Sequence, residues 1–202
     1  MTRNSPRKAA RMQELRAKAA QAEGPESGFV FGEGSPEAEL MIVGEAPGAE
    51  EAEAGRPFVG AAGHLLDELL RRAGIDRNEI WLTNVVKHRP TRRNGDRLAN
   101  RPPRVAEVAA DAHWLIDEIA TVQPKVILAL GNLAAGTLIH KGFKMTEEHG
   151  LWYDGPGGAK AIATYHPAYA LRQVGADRER VISEIAKDLA KAKAALSAYP
   201  SP

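Results

Sequence analysis

Short, largely apolar runs recur along the chain, and each is preceded by a charged residue. They occupy residues 40–43, 80–86, 126–130 and 161–164. Continuous apolar runs of this length are typical of strands that are covered on both faces. Between them, apolar residues recur at helical spacing, which predicts helices over 61–73, 105–119 and 178–196. This alternation predicts an α/β fold with three αβα layers around a four-stranded parallel sheet; 151–153 is a candidate for a further short strand.

Polar side chains stand where the predicted strands end. Glu45 follows the first strand inside the turn sequence GEAPG at 44–48, Asn84 lies in the second strand, and His166 follows the last. Each has an ordinary structural explanation: a strand-exit turn, a loop-anchoring amide and a packing histidine. Because parallel strands joined by right-handed crossovers end at one edge of the sheet, we expect the three to lie together. That convergence favours a functional site.

The most unusual stretch is KHRPTRRNGDRLANRPPR at 87–104, which is strongly basic and contains the single acid Asp96. Its prolines and glycine exclude a long helix, so we predict a long loop. A basic loop beside the carboxyl edge of a sheet suits a polyanion such as nucleic acid. A solvated loop is the alternative.

Composition limits the remaining possibilities. A chain of 202 residues with 44% hydrophobic and 26% charged residues suits one soluble domain, which we place at 25–202 after a basic helix or arm at 1–24. No apolar run reaches membrane-spanning length and no secretory signal is visible, so we expect a cytoplasmic protein. The chain has no cysteine, which excludes disulfides, thiolate zinc sites and cysteine-ligated iron–sulfur clusters. Its scattered histidines lack metal-ligand spacing, so no metal or other cofactor is expected.

Several motifs together resemble those of a known family. GEAPG, then GRPFVG at 55–60, LTNVVK at 82–87, PKVILALG at 124–131 and ATYHPAY at 163–169 follow one another in order. This series is similar to the uracil-DNA glycosylase superfamily, most closely its family 4 branch, over about 31–189. The resemblance implies the fold of that family and a monofunctional hydrolase that removes uracil from DNA. Such an enzyme flips the base into a pocket, breaks the N-glycosidic bond and leaves an abasic site.

The resemblance also implies roles for individual residues. Phe58 matches the aromatic ring that stacks on uracil, and Asn84 matches the amide that reads its N3 and O4 edge. His166 matches the histidine that donates toward O2, and Glu45 matches the carboxylate near the sugar. Glu51 matches an acidic residue beside C5 of uracil. The backbone amides around Gly44 and Ala46 match those that contact the base. For the DNA backbone we expect contacts from the basic segment and from the stretch after His166, namely from Lys87, Arg92, Arg93, Arg97, Asn100, Arg101 and Arg172.

The chain also departs from the family pattern. Family 4 carries four cysteines that hold a [4Fe–4S] cluster, whereas here His88 and Asp111 stand at two of those positions and the N-terminal pair is absent. Our hypothesis is that packing or polar contacts around His88 and Asp111 replace the cluster; a His/Asp metal site is the alternative. Ala46 stands where another branch has its water-activating aspartate, which leaves the identity of the base open.

The basic segment raises a question about turnover. It resembles the loop of a relative that captures uracil-DNA covalently through a histidine, and Asn100 stands at the aligned position. An amide is a poor nucleophile, so we predict turnover by a monomer acting on single- or double-stranded uracil-DNA. The alternatives are a uracil-DNA-binding protein that traps the site without turnover, and a phosphate-binding module with no chemistry.

Overall fold

A computed structural model describes residues 5–24 and 28–198. The α-helices in this part of the chain are α1 (Ser5–Glu23), α2 (Ala49–Ala54), α3 (Ala61–Arg72), α4 (Val105–Val122), α5 (Asn132–Leu138), α6 (Met145–Glu148), α7 (Pro167–Arg172) and α8 (Gly175–Ala198). The strands are β1 (Glu33–Gly34), β2 (Leu40–Gly44), β3 (Trp81–Asn84), β4 (Thr91–Asn94), β5 (Arg97–Asn100), β6 (Val126–Leu130), β7 (Trp152–Asp154) and β8 (Lys160–Thr164). Short 3-10 helices lie at Arg77–Glu79 and Pro156–Gly158.

The main sheet has the strand order β1-β3-β2-β6-β8-β7. The predicted parallel strands are all present, as β2, β3, β6 and β8. The number four was wrong for the whole sheet, because antiparallel strands extend both edges and bring it to six. At one edge β7 occupies the candidate position near 151–153. At the other edge β1 is too short and too polar to leave a hydrophobic pattern.

The core lies around the parallel strands, and every residue of β2, β3 and β6 is buried. Burial on both faces explains why these strands read as unbroken apolar runs. One group of helices, α3, α7 and α8, packs together, and α8 contacts β2, β6 and β8. A second pair, α1 and α4, packs together, and α4 contacts β3. The α/β class with a mostly parallel, helix-covered sheet is therefore confirmed.

The basic segment forms a β-hairpin where we predicted a long loop. Strands β4 and β5 pair antiparallel, with Thr91 opposite Asn100 and Asn94 opposite Arg97. Between the strands, Gly95 has a φ of 61°, the left-handed conformation that a tight two-residue hairpin turn requires. Both strands are polar and largely exposed, so no apolar alternation signalled them.

The N-terminal helix lies against the domain. Met12, Leu15 and Ala19 of α1 are buried, and Lys8 Nζ donates to the carbonyl of Val122 at 2.6 Å. The division of the chain at residue 24 stays a prediction, and residues 1–4 of the predicted arm lie outside the described residues. Among the described helices, none is both long enough and apolar enough to cross a bilayer.

Candidate active site

The ends of the parallel strands converge on one cavity of about 420 Å³. In the sheet Gly44 lies opposite Asn84, so Glu45 follows its strand at the same end of the sheet, and His166 follows β8 closely. Most of the residues predicted from the sequence line this cavity: Glu45, Ala46, Glu51, Phe58, Asn84, Asn100, Arg101, His166 and Arg172. The structure thus brings together side chains that are up to 127 positions apart in the chain (172 − 45).

Gly44 lies directly beneath the side chains of Asn84 and Phe58. A Cβ added to Gly44 would overlap Asn84 Oδ1 and would lie 2.6 Å from Cζ of Phe58. The amide and the ring therefore close over the backbone at a point where only glycine leaves room. This steric requirement explains the glycine at the end of a strand whose other residues are all large and apolar.

The aromatic ring of Phe58 faces the imidazole of His166. Their centroids are 6.2 Å apart and the ring planes are inclined by only 23°. Phe58 is buried and has a φ of 55°, which is unusual for a residue with a side chain. Strained backbone of this kind is found at sites where a side chain must be presented in one particular direction.

His166 is held in one tautomer by its own helix. Its Nδ1 accepts a hydrogen bond from the amide of Ala168 at 3.1 Å, so the proton of the neutral ring lies on Nε2. Burial of the ring, together with the nearby Arg172 cation, lowers the pKa of His166 to about 4. The imidazole is therefore neutral near physiological pH and offers Nε2–H as a donor.

Glu45 contributes a partly buried carboxylate to the cavity. Burial raises the pKa of its carboxyl above the ordinary value, and the positive charge of Arg172 acts in the opposite direction. An ionised carboxylate in this position can stabilise positive charge that develops beside it, or can orient a water molecule.

Glu51 ties two loops of the cavity wall together. Its Oε2 accepts the amide of Gly48 and its Oε1 accepts the amide of Gly60, each at 3.0 Å. The carboxylate thus links the GEAPG turn to the GRPFVG segment. Its predicted position beside C5 of uracil stays a prediction.

Asn84 is supported from behind by a buried charge pair. Lys87 Nζ donates to the carbonyl of Asn84 at 2.8 Å, to Thr83 Oγ1 at 2.6 Å and to Glu118 Oε2 at 2.8 Å. The predicted contact between Lys87 and DNA is wrong, because this side chain has no exposed surface. Its three donors are used inside the protein.

Sequence reasoning also missed Glu118. Its Oε1 accepts the amide of Gly32 at 2.9 Å and its Oε2 accepts the hydroxyl of Thr83 at 2.7 Å. A signal was available, since Glu118 follows Leu115 by three residues and precedes Ile119 on the apolar face of α4. An acid inside such a face must be paired when it is buried.

The remaining predicted DNA contacts fall into two groups. Arg92, Arg93 and Arg97 are exposed on the hairpin, where a phosphate could reach them. Arg101, by contrast, pairs with Glu107 through two hydrogen bonds, and these lower the pKa of Glu107 to about 2. Asn100 accepts a hydrogen bond from Arg89 Nε at 2.7 Å. All these contacts with DNA stay predictions.

The positions that match the cluster cysteines do not fit an iron–sulfur cluster. His88 Nδ1 lies 3.3 Å from Asp111 Oδ2, and His88 Nε2 lies 3.3 Å from Glu23 Oε2. The ring of Phe29 packs against His88 and Trp114, and Trp114 Nε1 donates to Glu23. The polar contacts predicted around His88 and Asp111 are therefore present, and no thiolate is available. The described residues contain no group of three or more His, Asp or Glu side chains arranged to hold a metal ion.

These contacts shift the pKa values of His88 and Asp111. The hydrogen bond to Asp111 raises the pKa of His88. Burial works to raise the pKa of Asp111, but hydrogen bonds from His88 and from the Lys87 amide lower it overall. His88, placed between the carboxylates of Asp111 and Glu23, thus links the segment after β3 to α4 and α1.

Comparisons with known proteins agree with the motif series. A family model described as the uracil DNA glycosylase superfamily matches residues 31–190. The chain is 42% identical to a type-4 uracil-DNA glycosylase of Thermotoga maritima over 165 residues, which cover 81% of each chain. It is 42% identical to one from Pyrobaculum aerophilum over 168 residues, 80% of each chain. A type-5 uracil-DNA glycosylase of Thermus thermophilus is 32% identical over 165 residues, 72% of each chain.

Proposed function

The chain belongs to the uracil DNA glycosylase superfamily, and from this we propose that it hydrolyses the N-glycosidic bond of uracil in DNA, releasing uracil and leaving an abasic site. The observation that carries the proposal is the cavity itself, where Glu45, Phe58, Asn84 and His166 meet at the strand ends. Such a cavity can receive one extruded base between polar groups and an aromatic ring.

Base selection follows from the chemistry of the Asn84 amide. Its oxygen can accept N3–H of uracil while its NH₂ donates to O4. Cytosine presents an acceptor and a donor at these positions, so both hydrogen bonds would be lost in a pocket that excludes water. Each unpaired buried group costs about 1–3 kcal/mol, so the two together give a discrimination of roughly 30-fold or more.

Bond cleavage needs groups that match the charges that develop. The electrons of the C1′–N1 bond leave with uracil, and part of the negative charge appears on O2. Neutral His166 can donate Nε2–H to that oxygen without first losing or gaining a proton. The sugar becomes cationic, and the Glu45 carboxylate can stabilise it and position the water that adds to C1′.

The structure favours Glu45 over Glu51 for that role. Both carboxylate oxygens of Glu51 already accept backbone amides. Moving Glu51 toward a water would release the two loops that it joins. Among the described contacts the Glu45 side chain makes no such link, and the positive charge of Arg172 acts on its carboxyl group.

DNA binding is assigned to the hairpin and to the helix after His166. The exposed Arg92, Arg93 and Arg97 can neutralise phosphates and release counterions. Arg172, at the end of α7, lines the cavity and can reach the phosphate of the flipped nucleotide. We further propose that the protein acts as a monomer in the cytoplasm, since one chain supplies every residue assigned here; size-exclusion chromatography with light scattering tests the monomer.

Turnover is favoured over covalent capture by the residue at position 100. Asn100 lines the cavity, but its side chain is an amide that is hydrogen-bonded to Arg89. We expect no protein–DNA adduct when the enzyme is mixed with uracil-containing single strands and run on a denaturing gel. A band at the combined mass would establish capture and overturn this part of the proposal.

The decisive experiment is a uracil-release assay on single- and double-stranded oligonucleotides, with and without a chelator. Wild type is expected to release uracil in both conditions, and Asn84→Ala is expected to lose about 10- to 100-fold in kcat/KM through the missing hydrogen bonds. Oligonucleotides containing thymine or cytosine are the substrate controls. If no uracil-containing substrate yields free uracil, the proposed enzymatic activity is rejected.

A further inference from the structure

Arg77 is the centre of a hydrogen-bonded clamp behind the cavity. Its Nη2 donates to the carbonyl of Pro57 at 2.8 Å and its Nη1 donates to the carbonyl of Phe58 at 3.1 Å. Nη1 also lies 2.6 Å from Oδ1 of Asp67 on helix α3. One planar guanidinium thus holds two consecutive carbonyls and is itself held by an acid.

The clamp acts on backbone that would not hold this shape unaided. Phe58 is in the left-handed region, with a φ of 55°, and it carries a bulky side chain. Pro57 before it has its φ fixed by its ring. A residue forced into such a conformation returns to ordinary backbone angles unless surrounding contacts hold it in place.

Helix α3 makes room for the same carbonyl. Gly63 lies in its first turn, and an added Cβ there would overlap the carbonyl oxygen and carbon of Phe58. The helix therefore approaches the Phe58 backbone closely, while Asp67, one turn further along α3, holds Arg77 against the two carbonyls. Sequence reasoning assigned neither Arg77 nor Asp67 a role.

We propose that Arg77, supported by Asp67, is a positioning residue that fixes the left-handed conformation of Phe58 and so directs its ring toward His166 across the cavity. Arg77 does not line the cavity in the described part of the chain and is not a catalytic residue. The inference rests on the proposed function only for the kinetic consequence, because the ring would stack on the flipped uracil. The conformational consequence is independent of any activity.

Lysine can replace this arginine only in part. A guanidinium presents parallel donors that match two neighbouring carbonyls and a carboxylate at once, whereas an ammonium is a point charge on a flexible stem. We therefore expect Arg77→Lys to retain only part of the effect, and Arg77→Met, which keeps most of the apolar stem, to lose it. Arg72→Met is the matched control, because Arg72 pairs with Glu68 on the surface of α3, the helix that carries Asp67, and among the described contacts it makes none with Phe58.

The first measurement reports on the ring directly. The protein is labelled with 4-fluorophenylalanine, and the ¹⁹F resonance of Phe58 is identified by its loss in Phe58→Leu. In Arg77→Met this resonance is expected to shift or broaden while those of Phe29, Phe31 and Phe143 stay in place; Arg72→Met leaves all four unchanged. An unshifted Phe58 resonance in folded Arg77→Met would overturn the proposal, whether or not the protein releases uracil.

The second measurement is a double-mutant cycle on uracil release. Arg77→Met alone is expected to lower kcat/KM by about 10- to 100-fold, the range for a misplaced substrate-contacting group. In the Phe58→Ala background the same change should cost less than about twofold, because there is no ring left to position. Equal losses in both backgrounds would show that Arg77 acts by general stability alone, and would overturn the proposal. If wild type releases no uracil, the proposed function fails, but the ¹⁹F spectra still test whether Arg77 positions the ring of Phe58.

Discussion

Lys87 and Glu118 form an ion pair with no exposed side-chain surface, and their Nζ and Oε2 atoms are 2.8 Å apart. The pair fixes the end of β3 from behind, since the same ammonium donates to the carbonyl of Asn84. A residue that reads as a surface cation in the sequence is thus a buried support for Asn84, the amide proposed to select the base.

Removing Lys87 should strongly destabilise the fold. Lys87→Met leaves Glu118 buried without its charge partner, and breaking such a pair costs about 3–5 kcal/mol in the free energy of unfolding. Urea denaturation followed by circular dichroism measures the change. Lys144→Met is the control, because Lys144 and Glu147 are both largely exposed and their pair contributes less than about 1 kcal/mol. A comparable loss in both variants would show that the buried pair has no special role.

A methyl group at position 44 should block the cavity. In Gly44→Ala the added Cβ meets Asn84 Oδ1 and Phe58 Cζ, so either the amide or the ring must move. We expect uracil release to fall by about 100-fold or more, consistent with displacement of a substrate-contacting group by about 1 Å. Gly136→Ala is the matched control: Gly136 lies in α5 with open space around its Cβ position, so activity should be unchanged and stability slightly higher.

The acid side of the pH–rate profile should follow Glu45. Burial raises the pKa of this carboxyl, so activity should fall as pH drops through that raised value and the carboxylate is neutralised. The pKa of His166 is about 4, so the imidazole stays neutral over most of this range. Measuring kcat/KM between about pH 4 and pH 8 for wild type and Glu45→Gln tests the assignment. An acid limb that Glu45→Gln leaves unchanged would assign it to another group.

The His88–Asp111 contact should make stability depend on pH. The pKa of His88 is raised in the folded state, so its contribution is complete below the unfolded value and is lost as pH rises through the folded value. The pKa of Asp111 is lowered, so its contribution is lost as pH falls through the folded value. The Tm difference between wild type and His88→Gln should therefore be largest at mildly acidic pH and should shrink above neutrality.

The size of that difference is limited by solvent. His88 has 35% of its side chain exposed, and solvent screens its contacts. We therefore expect its contribution to the free energy of unfolding to change by less than about 1 kcal/mol across the pH range. His113→Gln is the control, because His113 is exposed and bonds only to a backbone carbonyl of its own helix among the described contacts. A Tm difference for His88→Gln that is constant with pH would show that protonation of His88 does not matter.

The hairpin arginines should determine the salt dependence of binding. Replacing Arg92, Arg93 and Arg97 by serine removes up to three phosphate contacts, so the slope of log K against log salt should fall by about 0.7 per contact on single strands. Fluorescence anisotropy with a labelled uracil-containing strand measures the slope, in a Glu45→Gln background where cleavage during the measurement is slowed. Arg72→Ser should leave the slope unchanged, and an unchanged slope in the hairpin variant would remove the hairpin from the DNA interface.

The sequence predicted the sheet well because its strands are buried on both faces. Apolar runs predicted β2 and β6 almost to the residue. The polar residues at the strand ends, Glu45, Asn84 and His166, line one cavity as expected. The hairpin was missed because a two-stranded, solvent-exposed ribbon needs no apolar alternation. Its turn signal, Gly95-Asp96, was present but stood among prolines and arginines that indicated a loop.

Features that depend on tertiary contacts could not be predicted from residue types. Lys87 was interpreted by its charge, and only the burial of Glu118 opposite it reveals its real position. The left-handed backbone of Phe58 depends on Arg77 and Gly63, which contact it across other elements. Residue identity indicated the chemistry of the cavity, whereas the support behind it required the fold.

The junction of His88, Asp111 and Glu23 changes what the folded protein requires from the cell. A relative in which an iron–sulfur cluster joined these segments would depend on the delivery of iron and sulfide. Oxidants that attack the thiolate ligands would break that link. Here the junction is made of side chains alone, and the chain has no thiol to lose. Folding of this protein should therefore persist under iron starvation and under peroxide stress.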